Sequence, residues 1–316
     1  MEIIEIREEF LKEVVEIAEH MYTMECNYVA ELRIERKEEL NRCIEEAINN
    51  QQGIVCIVQG KVVGYMIFTK GLNDGICRCM VPVWGYGAVG NDRVKIMSKM
   101  FQKVADILCN DQKVHFEITV YAHDEEIIRL FTFLQFGIQC EEEIRNTEDA
   151  ILVKLDVSIR ELSKEEIRNH WSDIWSLVFR LIEHLRQSPI FYPGTEFTEE
   201  LYKEYFIDHA TQVYIAEDGN HIIGLLDANR DGNNFITDDE LCYNVGDIFV
   251  IEEYRGIGIA RELLRFVNYT LREKGIEQLW VEHGTVNPNA RGFWNKYFST
   301  FSYTLVRDID YSLLLR

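Results

Sequence analysis

Apolar residues along this chain recur with two periods. Short runs with strand-like alternation are interleaved with longer stretches whose apolar positions return every third or fourth residue, as expected of helices lying on a sheet. In the first half a strand over residues 3–6 precedes helical segments near 10–24 and 37–49. Strands over 53–59 and 62–69 follow, joined at Gly60. In the second half a strand over 157–160 precedes helices near 169–186 and 198–208, then strands over 212–217 and 221–227. Each half continues as strand, glycine-bearing turn, long helix, strand and helix. Residues 115–121 and 126–137 in the first half answer to 278–283 and 288–298 in the second. A self-similarity this long is outside the range of solenoid repeats and reads as a duplicated domain. The division falls near Asp156, where an apolar strand over 150–155 closes the first unit, giving expected domains of 1–156 and 157–316. The fold class is mixed α/β.

Composition narrows the class. A length of 316 residues suits two domains, and 47% hydrophobic content with only four prolines belongs to a folded chain. The first residues, Met1-Glu-Ile-Ile-Glu-Ile-Arg-Glu-Glu, lack the basic and apolar regions of a signal peptide, and no run is long enough to span a membrane. A cytoplasmic protein is therefore expected. Of the eight cysteines, seven lie in the first half without a regular framework, which suits reduced thiols. Cys77-x-Cys79 has no second pair at zinc spacing, so no metal is expected there. The net charge of -21 speaks against nucleic acid or an anionic membrane surface as partner and favours a cationic amine.

The candidate chemistry concentrates at one strand-to-helix junction. Residues 247–250 form a short apolar strand that passes through Arg255, Gly256, Ile257, Gly258, Ile259 and Ala260 into a helix starting near Arg261. Such a junction aims free backbone N–H groups and the positive end of a helix dipole at one point, a ready site for phosphate.

The order Arg255-x-x-Gly258-x-Ala260 resembles the acyl-CoA signature of the GCN5-related N-acetyltransferases (GNAT family). The resemblance continues through the strand 279–283 to Asn287-Pro-Asn289-Ala290-Arg-Gly-Phe293-Trp294-Asn-Lys-Tyr297, the family's second motif in the right order. It covers 157–316 by motif and 1–156 by pattern only. It implies two tandem GNAT-like domains, each a mixed, mostly antiparallel sheet flanked by helices. It also implies an acetyl-CoA-dependent N-acetyltransferase acting on a small-molecule or peptide amine. CoA would be held by the turn 255–260, by Ile248, Phe249 and Val250 along the strand, and by Asn287, Asn289 and Trp294. Asp247 is the candidate base, with Glu282 in reserve. Asp247 should share a sheet face with Phe249 and not with Ile248 or Val250. The acid is less direct: many family members carry a tyrosine four residues after the motif's alanine, where this chain has Trp294, which has no acidic oxygen. Tyr297, Tyr303 or water is left for that role. A non-catalytic CoA-binding or regulatory protein, or a transferase of longer acyl groups, remains open.

Two other patterns compete for attention. Gly85-Tyr-Gly87-Ala-Val-Gly90 is a literal dinucleotide fingerprint, but the acidic residue of a second parallel strand is missing where a helix continues. Aligned on the second half, Gly87 stands in place of Arg255 and Asp92 in place of Ala260, changes that disfavour an anion, so the first copy is expected to be degenerate. Asp227-x-Asn229-x-Asp231-Gly232 with Asp238 resembles a calcium loop, but its flanks read as strands, and a polar hairpin connection is expected instead.

Overall fold

The computed structural model describes residues 1–73, 75–109, 112–149, 156–192 and 197–310. The strand expected over 150–155 lies outside the described residues. In chain order the elements are β1 (Glu2–Glu5), α1 (Leu11–Cys26), α2 (Lys37–Asn49), β2 (Gly53–Val58), β3 (Lys61–Ile67), β4 (Thr69–Asn73), β5 (Ile76–Val81), β6 (Tyr86–Ala88), α3 (Arg93–Leu108), β7 (Lys113–Tyr121), α4 (Glu125–Phe133) and β8 (Gly137–Asn146). They continue as β9 (Ser158–Leu162), α5 (Lys164–Asn169), α6 (Trp171–Arg186), α7 (Glu199–Ile207), β10 (Gln212–Asp218), β11 (His221–Asn229), β12 (Cys242–Val250), α8 (Ile259–Glu273), β13 (Gln278–Gly284), α9 (Pro288–Trp294) and β14 (Ser299–Asp310).

Contacts gather these elements into two compact units. The first holds Met1–Glu143, Asn234–Ile236 and the chain from Ser299 on; the second holds Ile144–Asn233 and Thr237–Phe298. In the first, β1, β2, β3 and β6 form one antiparallel sheet. Alongside, β4 pairs antiparallel with β5 and β5 pairs parallel with β7. On the other side of β7 lies β14, the last strand among the described residues, antiparallel to β7 from Ser302↔Tyr121 to Asp310↔Lys113 and followed in the sheet by β8.

In the first unit β5 stops at Val81, because Pro82 cannot extend a ladder and Gly85 N–H turns back onto Pro82 O at 2.7 Å. The glycine fingerprint is therefore no phosphate loop: Gly87 lies inside β6 opposite Tyr65, where an added Cβ would meet the Tyr65 ring at 2.6 Å.

The second unit is a sheet of β9, β10, β11 and β12, all antiparallel, with β13 joining β12 in parallel. Helix α8 lays Ile259, Leu263, Leu264, Val267 and Leu271 onto Tyr214, Leu226, Val245 and Val250. Helices α6 and α7 cover the opposite face, packing Ile174, Val178 and Phe206 with Leu225 of β11. Each such side chain, removed from water, contributes on the order of 2 kcal/mol. The helix expected over 169–186 starts at Trp171 and is preceded by α5, a helix set by a capping box. There Ser163 accepts from Glu166 N–H while the Glu166 carboxylate takes the Ser163 N–H and hydroxyl, which holds Glu166 down at about 2.

Helix α7 matters most for the site, and one lysine anchors it. Lys164 Nζ donates to the carbonyls of Phe206, His209 and Thr211 at 2.7, 2.8 and 2.7 Å. Lys164→Met keeps the apolar stem and leaves three carbonyls without their donor, so urea unfolding should show a loss of about 2 kcal/mol.

Candidate active site

Strand β12 is built to serve two cavities. Along one edge it pairs with β11 throughout, except that Leu226↔Ile248 gives way to Ala228↔Val245, so Asp227 faces both Gly246 and Asp247. This is a β-bulge, and it turns the strand. Along the other edge β12 meets β13 only over Cys242–Asn244 against Gln278–Trp280. Beyond Asn244, among the described residues, the two strands part, leaving that edge of 245–250 open.

The open edge leads into the glycine turn. After a single 3₁₀ turn over Glu252–Tyr254, Gly256 and Gly258 take φ of 81° and 97°, left-handed values that side chains resist. Gly258 sits at the N-cap of α8, whose first turn has free donors. Among the described residues, no acceptor meets the N–H groups of Gly256, Ile257, Gly258, Ile259, Ala260 or Arg261. Arg255 braces the turn: its Nε donates to Val250 O at 2.8 Å and its guanidinium lies 5.1 Å from the Phe249 ring centre.

A cavity of about 530 Å³ opens here. Its walls bring together Ile248, Phe249, Val250, Arg255, Gly256, Gly258, Ile259, Ala260, Asn287, Asn289, Trp294 and Tyr297. Thus all but Ile257 of the residues expected to bind cofactor line one space; the Ile257 side chain is 62% exposed outside it. The polar lining carries Arg255, Arg261, Lys296 and His184 and not one carboxylate, in a chain with 54 acidic residues against 33 basic. Asn287 caps α9, its side chain accepting from Asn289 and Ala290 N–H at 3.2 Å each, while Pro288 occupies the first helical position. Trp294 is core, packed edge-on to Phe293 and Phe298.

Asp247 lies on the opposite face of β12. Phe249 shares that face, packing with the α6 and α7 core, whereas Ile248 and Val250 pack toward α8. Tyr202 OH donates to Asp247 Oδ2 at 2.8 Å, and Asp247 N–H donates to Asp227 Oδ2 at 3.0 Å. Tyr205 OH donates to Asp227 Oδ1 at 3.1 Å and accepts from Asn229 Nδ2. Burial pushes the Asp227 pKa well above the carboxylate range, and the charge of Asp247 pushes the same way. Burial also raises Asp247, opposed by the Tyr202 hydrogen bond. Two carboxylates this close resist carrying two charges, so the more open one, Asp247, is the one suited to hold the negative charge. Gly246 makes the pair possible: a Cβ there would fall 2.1 Å from Asp227 Oδ1.

The other expected residues lie elsewhere. Glu282 is exposed on β13, accepting from Asn233 Nδ2 at 3.2 Å, and is not among the cavity residues. Tyr303 sits on β14 opposite Val120. Asp227 and Asn229 do not form a calcium loop; both belong to β11 and are tied to Tyr205. Sequence reasoning overlooked the Asp227–Gly246 contact and the cations Arg261 and Lys296. Tyr202 and Tyr205, three apart on one helix face beside a strand carboxylate, were the available signal.

The first unit has a cavity at the same position relative to α3, about 410 Å³, with Gly90, Arg93, Tyr121 and His123 in its walls. Glu25, Asp124, Glu125 and Glu126 also line it, and Arg93 is engaged by Asp124 at 2.6 Å. It has the opposite electrostatic character.

Comparison with known proteins agrees with this geometry. A family model described as Acetyltransferase (GNAT) family matches residues 171–299. That segment therefore resembles a GNAT-family acetyltransferase domain. No curated protein sequence matches the chain. Among solved structures, a GCN5-related N-acetyltransferase from Sphaerobacter thermophilus superposes with TM-score 0.53 at 11% identity, over 97% of this chain and 95% of that one. A GCN5-related glucosamine N-acetyltransferase region of a fungal multi-domain GH3 β-N-acetylglucosaminidase gives 0.51 at 13% identity, over 96% of this chain and 38% of that one. At such identities the likeness is one of fold. GNAT proteins bind acyl-CoA, and the residues lining the cation-rich cavity all fall within the matched segment.

Two outcomes follow from the carboxylate pair. Gly246→Ala should destabilise the protein by about 2 kcal/mol through overpacking on Asp227, and the loss should largely vanish when Asp227→Ala is combined with it, as read by denaturant unfolding of the four-member cycle. Because Asp227 binds its proton more tightly folded than unfolded, its contribution to stability is full below the unfolded value of about 4 and falls as pH rises through the folded one. Asp227→Asn should flatten that decline in a series of unfolding curves from acid to neutral pH.

Proposed function

We propose that the chain is an acetyl-CoA-dependent N-acetyltransferase whose chemistry takes place in the C-terminal domain, residues 157–316, with residues 1–156 a degenerate copy of the same domain. The observation that carries this reading is the cation-lined, carboxylate-free cavity at the Gly256–Gly258 turn, set against the acidic cavity of the first unit. The CoA pyrophosphate would take the free N–H groups at the start of α8, with Arg261 and Lys296 as counter-charges. The acyl arm would lie along Ile248–Val250, where the edge of β12 away from β11 has no neighbouring strand and its backbone can hold the thioester carbonyl.

Asp247 is the general base in this scheme. Its carboxylate stands one residue from the acyl-binding edge, and burial raises its proton affinity above that of an ordinary carboxylate, the direction a base needs. Tyr297, whose side chain lines the cofactor cavity, is the nearest expected hydroxyl to return a proton to the leaving thiolate. The burial of Trp294 at the position where the family commonly has tyrosine supports a second reading, a CoA-binding protein without turnover.

Calorimetric titration of the full chain with acetyl-CoA should give one site; two equivalent sites would contradict the degeneracy of the first unit. Gly258→Val forces a branched side chain into a left-handed conformation, and acetyl-CoA should no longer raise its melting temperature. Asp247→Asn should lower turnover about 100-fold or more with acetyl-CoA affinity unchanged; identical pH profiles for variant and wild type would remove Asp247 as base, and binding without turnover across amines would favour the second reading.

A further inference from the structure

The cavity on the Asp247 face of β12 tells what kind of amine the enzyme takes. It measures about 420 Å³, within the range of small-molecule sites. Its walls come from α7, from Phe197 before it and His209 after it, and from Asp227, Gly246 and Asp247 on the strands, with Phe197, Leu201, Tyr202 and Tyr205 presenting mainly carbon surface. The hydroxyls of both tyrosines are already committed to Asp247 and Asp227. At the inner end Asp247 Oδ2 is taken by Tyr202, but Oδ1 receives no hydrogen bond from any described residue. At another point of the lining stand Glu204 and His209, 3.8 Å apart and more than half exposed. The space therefore offers the free Asp247 Oδ1 beside an apolar sleeve, with the exposed Glu204 as its other accessible carboxylate.

Resting on the transferase reading above, we propose that the acceptor is a small primary amine whose single ammonium group is attached to a compact apolar body, aromatic or alkyl, without hydroxyl or further charged groups. The ammonium meets Asp247 Oδ1; the body fills the sleeve against Tyr202, Tyr205, Phe197 and Leu201. As the nitrogen bonds to the acyl carbon the C–S bond breaks. The ammonium loses two protons, one through Asp247 to solvent and one that ends on the departing thiol. Amino sugars fit poorly, because each hydroxyl buried in the sleeve without a partner costs about tenfold in affinity. A polyamine fits poorly as well, since the partner left for its second charge is the solvent-exposed Glu204, which already stands 3.8 Å from His209, and an exposed pair of that kind contributes little. A lysine presented on a protein surface would leave the sleeve half filled.

Phenethylamine, glucosamine and spermidine separate these classes. With saturating acetyl-CoA and free-CoA release as readout, kcat/KM for phenethylamine should exceed both others by about tenfold or more. Leu201→Lys, which puts a charge in the wall, should raise KM for phenethylamine at least tenfold with acetyl-CoA affinity unchanged. Turnover that favours glucosamine or spermidine, or that ranks all three alike, overturns the acceptor class while leaving the transferase reading intact. In parallel, binding of the three amines to the protein saturated with CoA is followed by calorimetry. Selective binding of phenethylamine, lost in Leu201→Lys, supports the sleeve even where no turnover occurs, an outcome that would sink the transferase reading alone. Failure of phenethylamine to bind overturns the proposal.

Discussion

Strands β12 and β13 run side by side for three residue pairs and then diverge, and the function of the second unit depends on that divergence. A parallel pair that stayed together would spend its backbone groups on each other. By parting after Asn244 it leaves an edge of β12 open, directly before a turn whose two left-handed glycines bring the unpaired N–H groups of α8 to the same place. The cost of keeping such groups apart from internal partners is met by packing elsewhere: the apolar face of α8 is buried against β10, β11 and β12, and α6 and α7 seal the other side. The bulge at Asp227 belongs to the same arrangement. It shifts β12 by one residue against β11, which brings Gly246 and the Asp247 N–H onto Asp227, while strand alternation keeps Asp247 on the face opposite Ile248.

Electrostatics then distinguishes the two units. In a chain carrying a net charge of -21, a cavity with three basic side chains and no carboxylate is a local reversal of the overall field. The matching cavity in the first unit, with four carboxylates in its walls, follows the overall field; Arg93 there pairs with Asp124 as Arg261 pairs with Glu262, so the lining carboxylates make the difference. An anionic pyrophosphate would be drawn to one and repelled by the other. The same acidic surface that repels it elsewhere suits a cationic acceptor, and the carboxylate pair at the bulge gives that cation a destination.

Much of this was legible in the sequence because the signals are local. Gly258 and Gly256 are demanded by backbone conformation, Arg255 lies within one turn of them, and the alternation of a strand placed Asp247 with Phe249. The helix α5 was missed although Ser163 and Glu166 spell a capping box, because its six residues are too few to show a period. Asp227 was read as part of a linear loop, yet its role comes from lying across the bulge from Gly246, a relation that strand register creates and sequence spacing does not reveal. The partnership of β14 with β7 is of the same kind: both strands were visible as apolar runs, but nothing local says which strands will pair. Lys296 reads as an ordinary surface residue one position before Tyr297, and only the fold turns it toward the cavity.

The central claim is that phosphate recognition at the start of α8 holds the acyl donor. It is tested most directly by comparing the affinity of CoA with that of pantetheine, which shares the thiol arm and lacks the phosphates, at low and high salt. The account expects CoA to bind at least about 100-fold more tightly, with the gap narrowing as salt screens Arg261 and Lys296. Equal affinities, or a gap indifferent to salt, would contradict it.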